Sequence, residues 1–546
     1  MGSDWRPHWG GRDRYVIFAS AWCETAFRRW VGHWQADPAR PRRLHVIAVA
    51  GGPLPGFARM LQDDAAITLD LLHAAPLAAL AQLQARIDAV ELGEAALAEL
   101  ARPLARLLSL DAVLQAPALD PAAWQALAAT GWLRDGAGVV RFATRKPIAP
   151  PPPPPTRCAI VIGAGLAGAA ACERLCARGW QVTLLERHPA AAMEASGNLA
   201  GITMPLLSKD DNLASRLSRA AFLFARAYWQ RLGGVGAAIE GARCGVLLAA
   251  RDPDHAALQR AIAAARALPP DYAAWFDGAA AGHRFGAIAP HGAWLFAGGG
   301  WIRPGSAVAA MLAACGDRLD ARFGVGEVSL RGGAAGWQAH GADGHLVASA
   351  ASVIIASGAG ALAQSASLPL ERVRGQVTHL APGTAPDLGL VLCREAYLTP
   401  AGAGWHCAGA TYDDDADPAL RWSSQQQNLA NLRSMLADER VAPAAPLAGR
   451  VGFRAVAPDR LPMVGAVPES AHAAGTERLR ELPRQPGVYA LLAYASRGLT
   501  WAPLAAELLA ASLEGEPLPL EGELVAALDP GRFLLRARRS RPAGLR

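Results

Sequence analysis

The chain has 546 residues and a mass of 56.9 kDa, with 52% hydrophobic and 18% charged residues. This composition excludes an intrinsically disordered protein and indicates a globular chain of more than one domain. The net charge of +6 is modest, but basic residues cluster at 40–45 and 532–546, which suits either a polyanionic partner or ordinary solvated surface.

The first 147 residues alternate strand-like and helix-like segments. RYVIFAS is followed by the helical pattern TAFRRWVGHWQ, by the strand RLHVIAVA and later by the strand VVRFAT. Strand, helix and strand in this order predict an α/β layer with parallel strands. The six prolines 150–155 predict a semi-rigid linker over residues 148–156, which separates this domain from the next.

A nucleotide-binding pattern opens the second domain. CAIVIG predicts a buried strand, GLAGAAACERLCARG a helix and WQVTLLER a second strand. Gly163, Gly165 and Gly168 form G-x-G-x-x-G between the first strand and the helix, so a pyrophosphate can approach the helix N-terminus. Glu186 ends the second strand, where its carboxylate can bind a ribose diol. Together they predict an adenine dinucleotide site.

Two later segments favour FAD over NAD. ASVIIASGAG, residues 351–360, is a buried strand that ends in a turn of small residues. GVYALLAYASRGLTWAPLAAELLA, residues 487–510, predicts a strand, a turn and a helix whose positive N-terminus would face a flavin ring. A core strand followed by a surface helix is the alternative interpretation.

Nothing in the sequence indicates a membrane segment or a metal site. The uncharged stretch 346–370 is interrupted by Ser, Gly and Pro, and the N-terminus lacks the apolar core of a signal peptide. Eight scattered cysteines suit a reducing compartment, and Cys172 and Cys176 are read as helix residues because no second pair completes a metal site. We therefore expect a cytoplasmic protein.

Eight segments in order carry a family resemblance: ASGNLAGITMPLLSKDDN, FLFARAYW, GGGWIRP, VRGQVTHL, YLTPAGAGWHCAGATY, QQQNLANL, GFRAVAPDRLPMVG and SRGLTWAPLAAELLA. With them, residues 157–520 resemble the superfamily of glycine, sarcosine and D-amino-acid oxidases. Within it they are most similar to the oxidase half of the bifunctional tRNA 5-methylaminomethyl-2-thiouridine biosynthesis (MnmC) family. The implied fold is α/β: a Rossmann-like methyltransferase-type domain, then a doubly wound FAD-binding fold interleaved with an antiparallel substrate sheet. Residues 521–546 are expected to form a basic tail.

The resemblance implies site residues. FAD would be held by Gly163, Gly165, Gly168, Glu186, Ser196, Gly197, Asn198, Gly358, Gly498, Leu499 and Thr500. Arg454 in GFRA and Arg497 in SRGL are the candidate catalytic residues, with Arg454 binding a substrate carboxylate through its planar fork. Arg374 and His406 are expected to line the substrate site. Structural ion pairs are the alternative for the two catalytic arginines, and core packing is the alternative for the other two residues.

The implied activity is removal of the carboxymethyl group from carboxymethylaminomethyl-uridine at the wobble position of tRNA, which leaves aminomethyl-uridine and glyoxylate. A free glycine or amino-acid oxidase is the alternative. The family's methyltransferase half carries a glycine-rich turn after its first strand, but this chain has no glycine between Tyr15 and Val31. Ala50 and Gln115 stand where the family carries acidic residues. We therefore interpret the first domain as a degenerate, inactive methyltransferase fold that serves tRNA docking or supports the flavoprotein, and the sequence leaves open whether it binds S-adenosylmethionine. A fully bifunctional enzyme is the other possibility.

Overall fold

The structure is a computed structural model, which describes residues 9, 11–62, 66–115, 119–134, 140–143, 156–333, 336–363, 368–402, 404–438, 441, 447–469 and 476–539. The chain divides into two compact units: Met1–Thr156 with Glu507–Val525, and Arg157–Ala506 with Ala526–Arg546. The predicted proline linker, apart from Thr156, lies outside the described residues. Within the described ranges, no helix is long and apolar enough to cross a membrane.

The first unit is built on an eight-stranded sheet with the order β3-β4-β2-β1-β5-β6-β8-β7. Strands β4, β2, β1, β5 and β6 are parallel, and β3, β7 and β8 run antiparallel to their neighbours. β2 is buried throughout, because helices on both faces of a parallel sheet leave it no wet side. The strands are β1 (Arg14–Ala19), β2 (Arg43–Val49), β3 (Gly56–Gln62), β4 (Ile67–His73), β5 (Ile87–Glu91), β6 (Leu108–Gln115), β7 (Trp132–Arg134) and β8 (Val140–Phe142). The helices are α1 (Glu24–Ala36), α2 (Pro76–Gln82), α3 (Glu94–Ala105) and α4 (Pro121–Ala128).

The nucleotide pattern lies in the six-stranded sheet of the second unit, with the order β17-β10-β9-β21-β28-β27. All neighbours are parallel except the edge strand β27, which runs antiparallel to β28. The predicted strand, helix and strand are present as β9, α5 and β10. The strands are β9 (Cys158–Ile162), β10 (Gln181–Leu185), β17 (Leu319–Arg322), β21 (Ser352–Ile355), β27 (Met463–Pro468) and β28 (Arg484–Leu492), and α5 is Leu166–Cys176.

A second eight-stranded sheet is interleaved with these strands along the chain, with the order β14-β15-β13-β23-β24-β25-β22-β26. Its neighbours are antiparallel except for the pair β13 and β23. Its strands are β13 (Val246–Ala249), β14 (Ala274–Asp277), β15 (Gly292–Phe296), β22 (Glu371–Leu380), β23 (Val391–Cys393), β24 (Tyr397–Leu398), β25 (His406–Gly409) and β26 (Gly449–Val456). This sheet corresponds to the predicted interleaved substrate sheet.

Smaller sheets and the other helices complete the chain. The two three-stranded sheets contain β11 (Gly201–Thr203), β16 (Gly300–Ile302) and β12 (Gly241–Ala242), and β18 (Ser329–Gly333), β19 (Gly336–His340) and β20 (Leu346–Ala350). The helices are α6 (Leu213–Arg231), α7 (Pro253–Arg266), α8 (Gly278–Phe285), α9 (Pro304–Ala313), α10 (Trp422–Leu436), α11 (Gly498–Glu514), α12 (Gly522–Leu528) and α13 (Arg532–Arg539).

The region predicted as a basic tail is folded as far as residue 539. It contains α12 and α13, and Arg532 donates two hydrogen bonds of 2.9 Å to the carboxylate of Asp459. Arg536 pairs with the same carboxylate. The basic cluster in this segment is therefore partly committed to an internal ion pair.

Buried ion pairs join residues 507–525 to the sheet of the first unit. Arg59 lies 2.7 Å from Asp70 and 2.9 Å from Glu507, and all three side chains are at most 4% exposed. Arg43 lies 2.9 Å from Glu516, and both side chains are buried. Arg43 belongs to the basic cluster at residues 40–45, so part of that cluster neutralises carboxylates inside the protein.

Substituting Arg59 by Ala should lower the free energy of unfolding of the first unit by about 3–5 kcal/mol, because two buried carboxylates lose a counter-charge. Arg28→Ala is the matched control, since Arg28 and its partner Glu24 are 77% and 64% exposed. Its expected cost is under about 1 kcal/mol. Urea unfolding of the full chain compares the two, and equal costs would contradict the prediction.

Helix α5 carries a buried carboxylate, Glu173. Tyr228 donates a 2.8 Å hydrogen bond to it, and Arg174 and Arg231 pair with it. Burial alone would raise the pKa of Glu173, but these arginines and the tyrosine outweigh it and lower the pKa from 4.5 to about 2. The ionised carboxylate therefore anchors α5 to α6.

A carboxylate whose pKa is lower in the folded than in the unfolded state stabilises the protein at pH values above its ordinary pKa. This contribution is lost as the pH falls through the folded-state pKa. The contribution of Glu173 should be complete above pH 4.5 and should disappear as the pH falls toward 2. Glu173→Gln should therefore unfold more easily at neutral pH and lose less stability than wild type on acidification. Urea titrations followed by flavin fluorescence measure this, with the exposed Glu477→Gln as control. The same acid sensitivity in Glu173→Gln as in wild type would count against the assignment.

Candidate active site

The carboxyl ends of β9, β10, β21 and β28 meet at one edge of the six-stranded sheet, the usual ligand position in such sheets. A cavity of about 530 Å³ opens there. It begins beside Gly163 and Glu186 and extends to Tyr412 and Arg454 at the eight-stranded sheet. One continuous space therefore joins a nucleotide-type end to a second, polar end.

Each of the three glycines of the pattern is needed for a different geometric reason. Gly163 has a φ of +102°, and a Cβ there would lie 2.8 Å from the Cα of Ser357, which follows β21. A Cβ on Gly168 would lie 1.8 Å from the carbonyl oxygen of Gly163, so only glycine lets α5 approach β9 this closely. Gly165 faces the cavity at the start of α5. A phosphate can thus reach the free N–H groups and the positive end of the helix.

Glu186 holds the turn as well as facing the cavity. Its carboxylate accepts hydrogen bonds from the backbone N–H of Ala164, at 2.7 Å, and of His188, at 3.0 Å. Each carboxylate oxygen can accept a second hydrogen bond, so lone pairs remain for a ribose diol in the cavity. Its place at the end of β10 agrees with the predicted role.

Arg454 lies at the other end of the cavity, on β26. Its Nη1 donates a 3.1 Å hydrogen bond to the carbonyl of Thr411, and its guanidinium lies flat over Gly375 of β22. A Cβ on Gly375 would be 2.3 Å from that Nη1, so the glycine provides the space for the arginine. Burial lowers the pKa of Arg454, although Tyr397 and Tyr412 oppose the shift. A partly buried cation that has one hydrogen-bond acceptor among the described residues is suited to an incoming carboxylate.

Arg497 and the start of α11 line the middle of the cavity. Arg497 donates to the carbonyl of Met204 at 3.3 Å, and burial lowers its pKa. The preceding loop holds Ala493 and Ala495 at φ values of +63° and +50°, an unfavourable conformation for residues with a Cβ. The strain is found where the chain turns to point the N-terminus of α11 at the cavity.

The cavity brings together most of the predicted site residues. It is lined by Gly163, Gly165, Glu186, Ser196, Asn198, Gly358, Gly498, Leu499, Arg454 and Arg497. Its described lining does not include Gly168, Gly197, Thr500, Arg374 or His406. Gly168 and Gly197 act through packing: a Cβ on Gly197 would lie 2.3 Å from the guanidinium of Arg450.

Arg374 and His406 lie within the protein rather than at the cavity wall. Arg374 is fully buried and donates to the carboxylate of Asp413 and to the carbonyls of Asp417 and Ala419. The Nδ1 of His406 lies 2.9 Å from the carbonyl of Thr399. Arg374 therefore shapes the loop 411–419, and the alternative of a polar core residue fits its surroundings better than direct substrate contact.

The cavity lining also contains residues that the sequence did not indicate, among them Gly375, Tyr397 and Tyr412. Gly375 follows Arg374 in VRGQ, and a charged residue is a more obvious candidate for a binding site than a glycine. Tyr412 follows the strand β25, and only the fold of its loop brings it near Arg454, whose guanidinium carbon is 5.8 Å from the ring centroid. In the sheet, Gly375 pairs with Gly452 and Arg454 pairs with Val373, so the contact between Gly375 and Arg454 could not be read from the sequence.

In the first unit, the loop after β1 is tied to its neighbours. Ser20 donates its N–H to the carbonyl of Glu91 at 3.0 Å, and Trp22 donates to the carbonyl of Val49 at 2.7 Å. The Ser20 hydroxyl accepts the N–H of Gly93. In a glycine-rich turn, the backbone N–H groups would be free to bind a ligand. Here the N–H groups of Ser20 and Trp22 donate instead to carbonyl groups of neighbouring strands.

Comparison with known proteins identifies the family. Residues 159–512 match the family described as "FAD dependent oxidoreductase". The tRNA 5-methylaminomethyl-2-thiouridine biosynthesis bifunctional protein MnmC of Azoarcus sp. strain BH72 is 39% identical, over 99% of this chain and 93% of that protein. The protein of the same name from Burkholderia thailandensis gives the same three values. The chain belongs to the MnmC family.

Solved structures show the same fold as the oxidase part of this MnmC family member. Glycine oxidase from Geobacillus kaustophilus has a TM-score of 0.56 at 22% identity, over 69% of this chain and 99% of that chain. Iminodiacetate oxidase from Chelativorans sp. BNC1 has a TM-score of 0.55 at 24% identity, over 66% and 96%. The predicted fold class is therefore confirmed.

Family membership also confirms FAD as the cofactor. The residues present fit it: the glycine turn and the start of α5 can hold the pyrophosphate, and Glu186 can hold the adenosine ribose. Asn198, Gly498 and Leu499 line the continuation of the cavity toward Arg454. The cavity of this MnmC family member thus extends from the residues that can hold FAD to the guanidinium of Arg454.

Gly168→Ala should abolish copurified flavin, because the added methyl group would overlap the carbonyl of Gly163 and push α5 off the sheet. Gly305→Ala is the matched control, since it also lies in a helix and a Cβ there meets nothing within 4 Å. Absorbance near the flavin maximum per mole of protein measures both variants. Full flavin occupancy in Gly168→Ala would show that the close approach is not needed.

Proposed function

We propose that this protein oxidises carboxymethylaminomethyl-uridine at the wobble position of tRNA and releases its carboxymethyl group. The partly buried guanidinium of Arg454, which lines the cavity, is the observation that carries the proposal. The substrate arm is a secondary amine bonded to CH2–COO−, and the carboxylate calls for a planar, desolvated cation. The MnmC relatives are named for the biosynthesis of a modified uridine in tRNA, which supports the same substrate class.

Bound FAD supplies the hydride acceptor for this reaction. The chain's own part is to hold the carboxylate at Arg454, so that the CH2 between nitrogen and carboxylate faces the redox centre. Loss of hydride from this carbon and of the proton from nitrogen leaves a C=N bond. Addition of water breaks that bond into glyoxylate and the primary amine of aminomethyl-uridine. We assign no general base, because an unprotonated amine needs none for the hydride step.

Anaerobic flavin absorbance tests the proposal directly. Modified tRNA should bleach the flavin, whereas glycine and sarcosine should not. Bleaching by the free amines alone would favour the alternative, a small-molecule oxidase, which the fold of glycine oxidase keeps available. Glyoxylate measured after aeration identifies the leaving fragment.

We also propose that the first unit carries out no methyl transfer. The observation is the loop after β1, which lacks glycine and whose Ser20 and Trp22 N–H groups bond to the sheet. Calorimetry with S-adenosylmethionine tests this. Binding in the micromolar range would restore the bifunctional alternative.

Arg454→Ala should keep its flavin but lower the rate of flavin reduction by modified tRNA. Removing one partner of a buried charge pair costs about 2–5 kcal/mol, which is about 30-fold to several thousand-fold. Arg454→Lys should be intermediate, because it keeps the charge and loses the fork. Gly375→Ala should act in the same direction by displacing the guanidinium.

Stopped-flow absorbance of the flavin provides the rates for these variants. The exposed Arg260 of α7 supplies the control, Arg260→Ala, which removes the same charge away from the cavity lining. A reduction rate for Arg454→Ala equal to that of Arg260→Ala would remove Arg454 from the substrate site.

A further inference from the structure

A cation and an aromatic ring lie together at the mouth of the cavity. Tyr412 lines the cavity and is still 55% exposed. The guanidinium carbon of Arg460 is 5.7 Å from its ring centroid, and that of Arg454 is 5.8 Å away. Arg460 is exposed and does not line the cavity. The ring therefore contacts an inner and an outer arginine.

The outer arginine keeps its charge available. Among the described residues, the Arg460 guanidinium makes no ion pair, although the adjacent carboxylate of Asp459 is near in sequence. Asp459 is instead held by Arg532 and Arg536. A φ of +59° at Arg460 shows that the chain adopts a strained turn there. An uncompensated cation on such a turn beside a cavity is suited to binding an anion.

The loop that carries Tyr412 is held in one position. Asp413 exchanges two backbone hydrogen bonds with Arg374, of 2.9 and 3.0 Å, and the Arg374 guanidinium binds the Asp413 carboxylate at 3.0 Å. Thr411 donates its hydroxyl to the same carboxylate and offers its carbonyl to Arg454. Tyr412 therefore lies between two anchored residues, which favours binding without loss of loop entropy.

We propose that Tyr412 and Arg460 form a nucleotide subsite: Tyr412 contacts the pyrimidine ring, and Arg460 binds a phosphate of the RNA backbone. This inference rests on the proposed function and adds the residues that select RNA over free amines. The guanidinium carbons of Arg454 and Arg460 both lie within 5.8 Å of the centroid of the Tyr412 ring. One nucleotide on this ring could therefore place its carboxylate arm at Arg454 and its own phosphate at the exposed Arg460. Aromatic rings and arginines are the usual partners of unstacked RNA bases and phosphates.

Arg460→Ala should weaken the binding of modified tRNA to the holoenzyme and make its salt dependence shallower by about 0.7 in the log–log slope, for one phosphate contact in a single-stranded segment. The preference for tRNA over the free modified nucleoside should fall, because the nucleoside has no phosphate. Arg460→Lys should recover most of the binding. Arg260→Ala provides the matched charge control, and an Arg460→Ala slope equal to that of the control would overturn the phosphate contact.

Tyr412→Ala should slow flavin reduction by tRNA and by the nucleoside alike, by about 5-fold to 150-fold, the range of one base stacking contact. Tyr412→Phe should stay near wild type, and retained flavin absorbance excludes misfolding. An unaffected nucleoside rate in Tyr412→Ala would overturn the ring contact. If neither tRNA nor nucleoside reduces the wild-type flavin, the proposed function itself fails, and the subsite fails with it.

Discussion

The approach of α5 to β9 is the constraint on which the cavity depends. With a Cβ position only 1.8 Å from the carbonyl of Gly163, residue 168 must be glycine for the helix to begin where it does. Gly163 in turn lets the chain pass the end of β21. These two contacts set the start of α5 at the sheet edge, and the nucleotide end of the cavity follows from that position. The buried charges around Glu173 hold the other end of the same helix.

The role of an arginine in this protein depends on how many hydrogen-bond acceptors the protein places around its guanidinium group. Arg374 has three acceptors on the loop 411–419 and is fully buried, so nothing is left for a ligand. Arg59 is neutralised by Asp70 and Glu507. Arg454 is partly buried, and among the described residues it has one carbonyl acceptor and lines the open cavity. The number of partners, rather than burial alone, separates a structural arginine from one that can bind a substrate.

The features that could be predicted from the sequence are those that depend on residues close together in the chain. The strand, the glycine turn, α5 and Glu186 are encoded within about thirty residues, and they lie where the pattern placed them. Tyr412 could not be predicted in this way, because its nearness to Arg454 depends on two strands far apart in the chain. The sequence alone also cannot distinguish a buried arginine from one that faces a cavity. For this reason Arg374 was expected to line the substrate site, although it is fully buried. The ion pair of Arg532 could not be read from the sequence either, because its partner Asp459 is 73 residues away.

The opening domain has a structural reason to persist even without methyl transfer. Helix α11 supplies Gly498 and Leu499 to the cavity, and its later residue Glu507 belongs to the first unit, where Arg59 neutralises it. Glu516 is neutralised there by Arg43. Without the first 156 residues, these carboxylates would lose their counter-charges, and a carboxylate without one is costly to bury. The arginines of the first unit's sheet therefore stabilise the chain segment that follows the flavin site, whatever ligand the sheet itself binds.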